Sequence, residues 1–229
     1  MNTASAPETS ASLTASTYER LRADVLNGHW TPGSKLGIEA LRAHYGTGAT
    51  PVREALNRLA AEGWVQHLEQ RGFAVASVSE DALRELAKTR VWVDTLALTQ
   101  GLLARTPEWE ERLVLALHRL SKTPRSLYDD RYVENPAWEK LHREFHMVLV
   151  AQCGSRWLVG FCEQLYDQAH RYRQLAVKKS YKRRHEFDEH KAMVDAVLAG
   201  DAQAACQALA GHYDKTADII LNSALSSAR

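Results

Sequence analysis

PGSKLGIEALRAHYGTGATPVREALNRLAAEGWVQHLEQRGFAVASVS, residues 32–79, sets two short helical stretches between glycine stops and then changes to a strand-like period. Ile38, Leu41 and Tyr45 share one side of a helix over 38–45, and Gly46-Thr47-Gly48-Ala49 is a turn. The next helix opens with Thr50 as its expected N-cap and Pro51 at its first position, with Glu54 near the positive end of the dipole. Val52, Ala55, Leu56 and Leu59 form its apolar face, and Gly63 stops it. Trp64–Leu68 and Phe73–Ser77 then read as two strands joined by Glu69-Gln70-Arg71-Gly72. Upstream, Tyr18, Leu21, Val25 and Leu26 recur at helical spacing over 14–27, ahead of Gly28. Three helices with a tight turn before the third, followed by a hairpin, outline a winged helix-turn-helix.

Outward from this stretch the chain divides in two. Residues 1–13 are mostly Ser, Thr, Ala and Pro with little to bury, so they are expected to form a disordered arm before a domain at 14–78. From Ser79 the period is helical to the C-terminus, with helices expected at about 80–104, 108–121, 134–152, 155–176, 181–199 and 201–225. Ser79, Ser155 and Asp201 stand at N-cap positions, Pro107 and Pro136 near helix starts, and Gly154 and Gly200 at stops. The expected fold is therefore mostly α: an N-terminal winged helix-turn-helix, then an all-α antiparallel bundle of about six helices at 79–229.

Composition bounds the function. No apolar run reaches the roughly 18 residues of a membrane span, and the first residues lack a secretory pattern, so a cytoplasmic protein with no membrane partner is expected. Cys153, Cys162 and Cys206 make no CxxC pair, which argues against a disulfide framework or a thiolate zinc knuckle. The 29 Lys and Arg against 28 Asp and Glu give net charge +1, so nucleic-acid binding has to be local. Residues 1–78 are themselves balanced, at seven basic and seven acidic residues.

The third helix carries the local chemistry. Its N-terminal turn, with Thr50 and then Arg53, can enter a major groove about 12 Å wide, where the arginine fork suits a guanine edge or a phosphate. Arg58 lies further along, and a solvated helix face is the alternative for both arginines. Thr50–Gly63, TPVREALNRLAAEG, together with the hairpin glycine, resembles the winged helix of GntR-type bacterial regulators. The resemblance implies double-stranded operator DNA as the partner, with Arg53 a DNA contact and Arg71-Gly72 at the wing tip by the minor groove. Many relatives carry Ser or Thr and then Arg just before this segment; here Gly48 and Ala49 stand there, and weaker or differently specified binding is expected.

In the second half, His142 and His146 are spaced i, i+4, which puts both imidazoles on one helix face, a weak motif alone. His190 precedes Gly200 and His212 follows Asp201, so antiparallel packing of these helices can bring both toward one point. The alternative for each is a hydrogen-bonded core or surface histidine. This layout resembles the FadR C-terminal (FCD) domain, in the metal-containing branch of the FadR-like subfamily, with His142 where relatives carry aspartate. The resemblance implies a divalent metal on His142, His146, His190 and His212, and a neutral imidazole set suits Zn²⁺ or Ni²⁺. It also implies Arg90, followed four residues later by Asp94, as a grip for a small organic acid effector; a plain ion pair on one helix face is the alternative. Arg171, and after it Arg173, are further anion candidates. The basic run Arg171–Arg184 reads as a solvated helix junction.

The expected function is a homodimeric, non-enzymatic transcriptional regulator whose operator affinity follows a small carboxylate effector in the helical domain. A sensor for which the ion itself is the signal is one alternative. A metal-dependent hydrolase is another, although Glu144, at i+2 from His142, points away from the face that His142 and His146 share.

Overall fold

The computed structural model describes residues 10–69, 71–180 and 186–222. The chain forms two compact units, Met1–Val78 and Ser79–Arg229. In the first, α1 (Ser10–Leu26), β1 (Lys35–Leu36), α2 (Ile38–Tyr45), α3 (Ala49–Ala61), β2 (Val65–Leu68) and β3 (Gly72–Val75) follow in order. The helix α1 starts four residues earlier than its apolar spacing indicates, so residues 10–13 leave the expected arm; residues 1–9 lie outside the described residues. Two hydrogen bonds account for the extra turn: Thr17 donates to the Leu13 carbonyl at 2.7 Å, and Thr14 donates to Glu54 Oε2 at 2.8 Å, tying the start of α1 to α3.

The helix α3 buries Pro51, Val52, Ala55, Leu56 and Leu59 against Leu21, Val25 and Leu41. Each fully buried leucine or valine there contributes about 1.5–3 kcal/mol relative to exposure. The N-cap is Gly48, in extended conformation and without a side-chain cap, and Thr50 falls inside the first turn instead of capping it. The three strands form an antiparallel sheet in the order β1-β3-β2, with Val65 opposite Val75 and Leu68 opposite Gly72. The strand β1 pairs Leu36 with Phe73. At φ +90°, Gly72 takes a backbone conformation that a side chain would strain, which is what the hairpin needs as the chain enters β3.

The second unit contains α4 (Glu80–Leu103), α5 (Pro107–Lys122), α6 (Pro136–Val150), a 3-10 turn (Ala151–Cys153), α7 (Arg156–Ser180), α8 (Glu186–Ala199) and α9 (Ala202–Ile220). Ser79, Thr106, Asn135, Ser155 and Asp201 accept backbone N–H bonds at five of the helix starts, as short polar side chains do there. The core runs through Leu98, Trp109, Leu113, Phe145, Leu149, Met193, Val197 and Leu209. Buried Trp109 keeps its indole N–H satisfied by donating to the Val148 carbonyl at 2.7 Å, which joins α5 to α6.

Between α8 and α9 the chain turns at Gly200, φ +73°, and Asp201 donates its N–H back to Ala196. The Arg105 guanidinium lies where a side chain at position 200 would go, bound to the Leu198 carbonyl and to Glu110. The corner therefore needs glycine for its φ, whereas the guanidinium is the end of a flexible side chain that can give way. The expected helical stretches at 181–185 and 223–225 fall outside the described residues, as do Lys182, Arg183 and Arg184 of the basic run.

Candidate functional site

The helix α6 supplies two imidazoles one turn apart, and α8 and α9 supply one each. His142, His146, His190 and His212 are all at least nine-tenths buried, and each offers a nitrogen within 4.8 Å of the others. The Nε2 atoms of His142 and His146 are 3.2 Å apart, and the rings of His190 and His212 are 4.7 Å apart between centroids. An ion bound by nitrogens at about 2.0–2.1 Å sets its ligands roughly 3.4 Å apart in a tetrahedron, so these distances need only small adjustments. Burial, then the Arg173 charge and the other imidazoles, holds His142 well below the ordinary histidine range, and His146 is depressed by burial and then His212 and His190. Burial thus favours the neutral form of both rings, the form that can ligate metal. Buried His146 Nδ1 has no hydrogen-bond partner among the described residues, so the cluster is not a self-satisfied polar network.

Around the imidazoles stands a charged shell. His212 faces Glu189 Oε2 at 2.8 Å through Nδ1, the kind of carboxylate partner that orients a ligating histidine. Arg173, its side chain 11% exposed, donates to Glu139 Oε2 at 2.9 Å, lies 2.7 Å from His170 Nδ1, and reaches His142 Nδ1 at 2.8 Å. Burial raises Glu139, but the charge of Arg173 and the His170 hydrogen bond outweigh it and bring it down to about 2. Trp138 stacks on His142 from one side, and Arg125 caps that indole at 5.1 Å while pairing with Glu186.

Arg90 and Asp94 are both buried, with Arg90 NH2 3.6 Å from Asp94 Oδ2. Tyr213 donates to Asp94 at 2.6 Å, and the Arg90 guanidinium lies 3.8 Å from the Tyr213 ring centroid. Among the described residues Arg90 Nε and NH2 have no hydrogen-bond partner, and the Arg90 charge also lowers His146, so its field reaches the imidazoles. Arg171 is buried too, and burial lowers it against the opposing influence of Tyr172. The guanidinium brought against His142 is that of Arg173. Arg173 shares α7 with Tyr166, seven residues away and also bonded to His142, and nothing in the sequence singles it out from Arg171. Glu144 lies near Arg119, both partly exposed, away from the imidazoles.

In the first unit, Thr50, Arg53, Arg71 and Gly72 are all exposed on α3 and the hairpin. Arg58 is committed within its own unit: its guanidinium sits 3.7 Å over the Tyr18 ring and its Nε donates to Glu62.

Residues 13–75 match the bacterial regulatory proteins of the gntR family, and residues 85–215 match the FCD domain. The HTH-type transcriptional regulator BphR of Paraburkholderia xenovorans (strain LB400) is 38% identical over 214 residues, covering 91% of this chain and 85% of that protein. This chain belongs to the GntR family. The HTH-type transcriptional repressor GlaR of Escherichia coli (strain K12) is 31% identical over 199 residues, covering 85% of this GntR chain and 90% of GlaR. Among solved structures, E. coli McbR/YncC superposes with a TM-score of 0.71 at 21% identity, covering 92% of this chain and 97% of that one. A GntR regulator from Rhodococcus sp. RHA1 gives a TM-score of 0.72 at 20% identity, covering 91% and 97%. The fold of these GntR structures is the expected one, a winged helix-turn-helix followed by a helical domain. The protein is a GntR-family transcriptional regulator with an FCD domain, and its relatives are regulators, not enzymes. Among the described residues no helix is long and apolar enough to cross a membrane.

Proposed function

We propose that this regulator binds an operator duplex through α3 and the wing and that a small organic acid, bound in the helical unit beside a divalent metal, sets its operator affinity. The observation that carries the reading is the buried set of four imidazoles with the Arg90 and Arg173 guanidiniums beside it, inside an FCD domain. His146, His190 and His212, with His142 packed against them, form the set that would hold the ion, and their nitrogen donors favour Zn²⁺ or Ni²⁺ over a hard, oxygen-seeking cation. Bound there, the metal supplies positive charge that attracts a carboxylate. Arg90, with two unbonded nitrogens, supplies the directional donors for that anion, and the Glu139–His170 pair holds Arg173 in place.

On the DNA side, exposed Arg53 in the second turn of α3 reaches base edges or phosphates, and Arg71 and Gly72 take the wing tip to the neighbouring groove. Two half-sites call for a homodimer. Its surface in this reading lies on the helical unit, where Trp92, Leu96 and Leu103 of α4 and Trp157 and Phe161 of α7 are exposed aromatic and aliphatic side chains.

The test is a salt-controlled duplex titration with a site selected from a random pool, run with metal-free protein, with Zn²⁺, and with Zn²⁺ plus a panel of small carboxylic acids. Operator affinity that shifts only when metal and acid are both present supports the reading. A shift with the ion alone favours a metal sensor, and affinity indifferent to both removes the effector role.

A further inference from the structure

The four imidazoles are not equivalent, and the reason is the polarity of one hydrogen bond. A guanidinium has donors and no acceptor, and it stays protonated in proteins. Arg173 NH1 lies 2.8 Å from His142 Nδ1, so that nitrogen is the acceptor. The neutral ring then carries its proton on Nε2, the atom that faces the other imidazoles, 3.2 Å from His146 Nε2. Tyr166 Oη, also 2.8 Å from His142 Nδ1 and 3.4 Å from Arg173, completes the same arrangement. Turning the His142 lone pair toward a shared ion would move the proton to Nδ1 and set it against the guanidinium. Glu139 and His170 hold Arg173 there, and Trp138 fixes the His142 ring plane. By contrast His212 turns its Nδ1 to a carboxylate, as ligating histidines do.

We propose that His142 is not a metal ligand: the ion is held by His146, His190 and His212, and His142 faces it as an N–H donor that recognises the anionic effector. This rests on the metal reading above and deepens it. A three-nitrogen set leaves part of the ion's coordination open, so the effector is a small anion with two acceptor oxygens, one directed to the ion and one to the His142 Nε2–H, with Arg90 as the second positive group. Position 142 thereby belongs to the recognition surface for the ligand.

The test is made on the full wild-type chain loaded with Zn²⁺, by long-range ¹H–¹⁵N NMR of its histidine rings. His142 protonated on Nε2, with His146, His190 and His212 showing metal-bound nitrogens, is the expected result; His142 protonated on Nδ1 with a metal-bound Nε2 overturns the proposal. Elemental analysis of folded variants provides a second readout. His142→Ala is expected to keep one equivalent of Zn²⁺ with affinity within about tenfold of wild type, whereas His146→Ala loses more than about 100-fold. Equal loss in both variants overturns the assignment. Acetate added to Co²⁺-loaded protein is expected to change the visible spectrum in wild type and much less in His142→Ala, and an equal change in both overturns the donor role. Wild-type protein that takes up no metal overturns the metal reading itself, an outcome distinct from the others.

Discussion

The indole of Trp138 lies flat on the imidazole of His142, with ring centroids 4.6 Å apart and planes inclined by 13°. One turn of α6 separates the two residues, so the stack is built into the helix, and Arg125 covers the outer face of the indole. Position 138 therefore joins the loop between α5 and α6 to the imidazole cluster. Trp138→Leu is expected to lower stability by about 2–4 kcal/mol, because a large buried ring is lost and the smaller side chain does not fill its space. Denaturant unfolding of the metal-free protein measures it; an unchanged midpoint would show that the stack contributes nothing.

Arg53 is exposed on α3, so its removal should leave folding intact. Arg53→Ala is expected to weaken binding to the preferred duplex by about 1–3 kcal/mol if the arginine reads a base. A salt titration separates this from a phosphate contact, which lowers the salt slope by about one unit and weakens all sequences alike.

Arg58 is expected to behave differently, since it already stacks on Tyr18 and pairs with Glu62. Arg58→Ala should cost about 0.5–1 kcal/mol of stability in the winged unit and little operator affinity. Burial, then the Glu62 hydrogen bond, pushes the Tyr18 hydroxyl up to about 12, and the loss of the nearby cation would raise it further. An operator defect as large as that of Arg53→Ala would place Arg58 on the DNA instead.

Acid stability should report the Glu139–Arg173 pair. Glu139 titrates near 2 in the folded chain against an ordinary 4.5, so its stabilising contribution is complete above about pH 4.5 and is lost as pH falls toward 2. Glu139→Gln is expected to flatten that limb of the melting-temperature profile. The buried imidazoles, depressed from 6.5, give an earlier decline starting near that pH, which this substitution leaves in place. Coincident profiles for the two proteins between pH 5 and 2 would contradict the assignment.

Zn²⁺ or Ni²⁺ at 100 times its dissociation constant should stabilise the helical unit by about 2.7 kcal/mol, as any ligand exclusive to the folded state does. Thermal melts with and without chelator check this, and the increment should disappear in His190→Ala.

Much of this was legible in the sequence because the signals were local. Thr50–Gly63 combines helical period, Pro51 and a closing glycine, and the six long helices of the second unit carry cap residues at Ser79, Ser155 and Asp201 that the structure uses. The start of α1 was not legible, since Ser10–Leu13 show no apolar period and the tie beside them, Thr14 to Glu54, reaches 40 residues along the chain. Two-residue β1 was too short to show a period, and it exists because β3 offers a free edge. At the site, the four histidines stood out by spacing, whereas the meeting of Arg173 with His142 depends on how α6 packs on α7 and left no mark in either segment.

The tight corner at Gly200 links the helices that carry His190 and His212, so half of the quartet depends on the phase of a single turn. Inserting one residue between Asp201 and His212 would rotate that imidazole by about 100° about the α9 axis and carry it off the cluster while leaving α9 helical. The same shift would turn Tyr213, Ala217 and Ile220 out of the core, so the spacing from Asp201 to His212 is fixed by the bundle and by the imidazoles together.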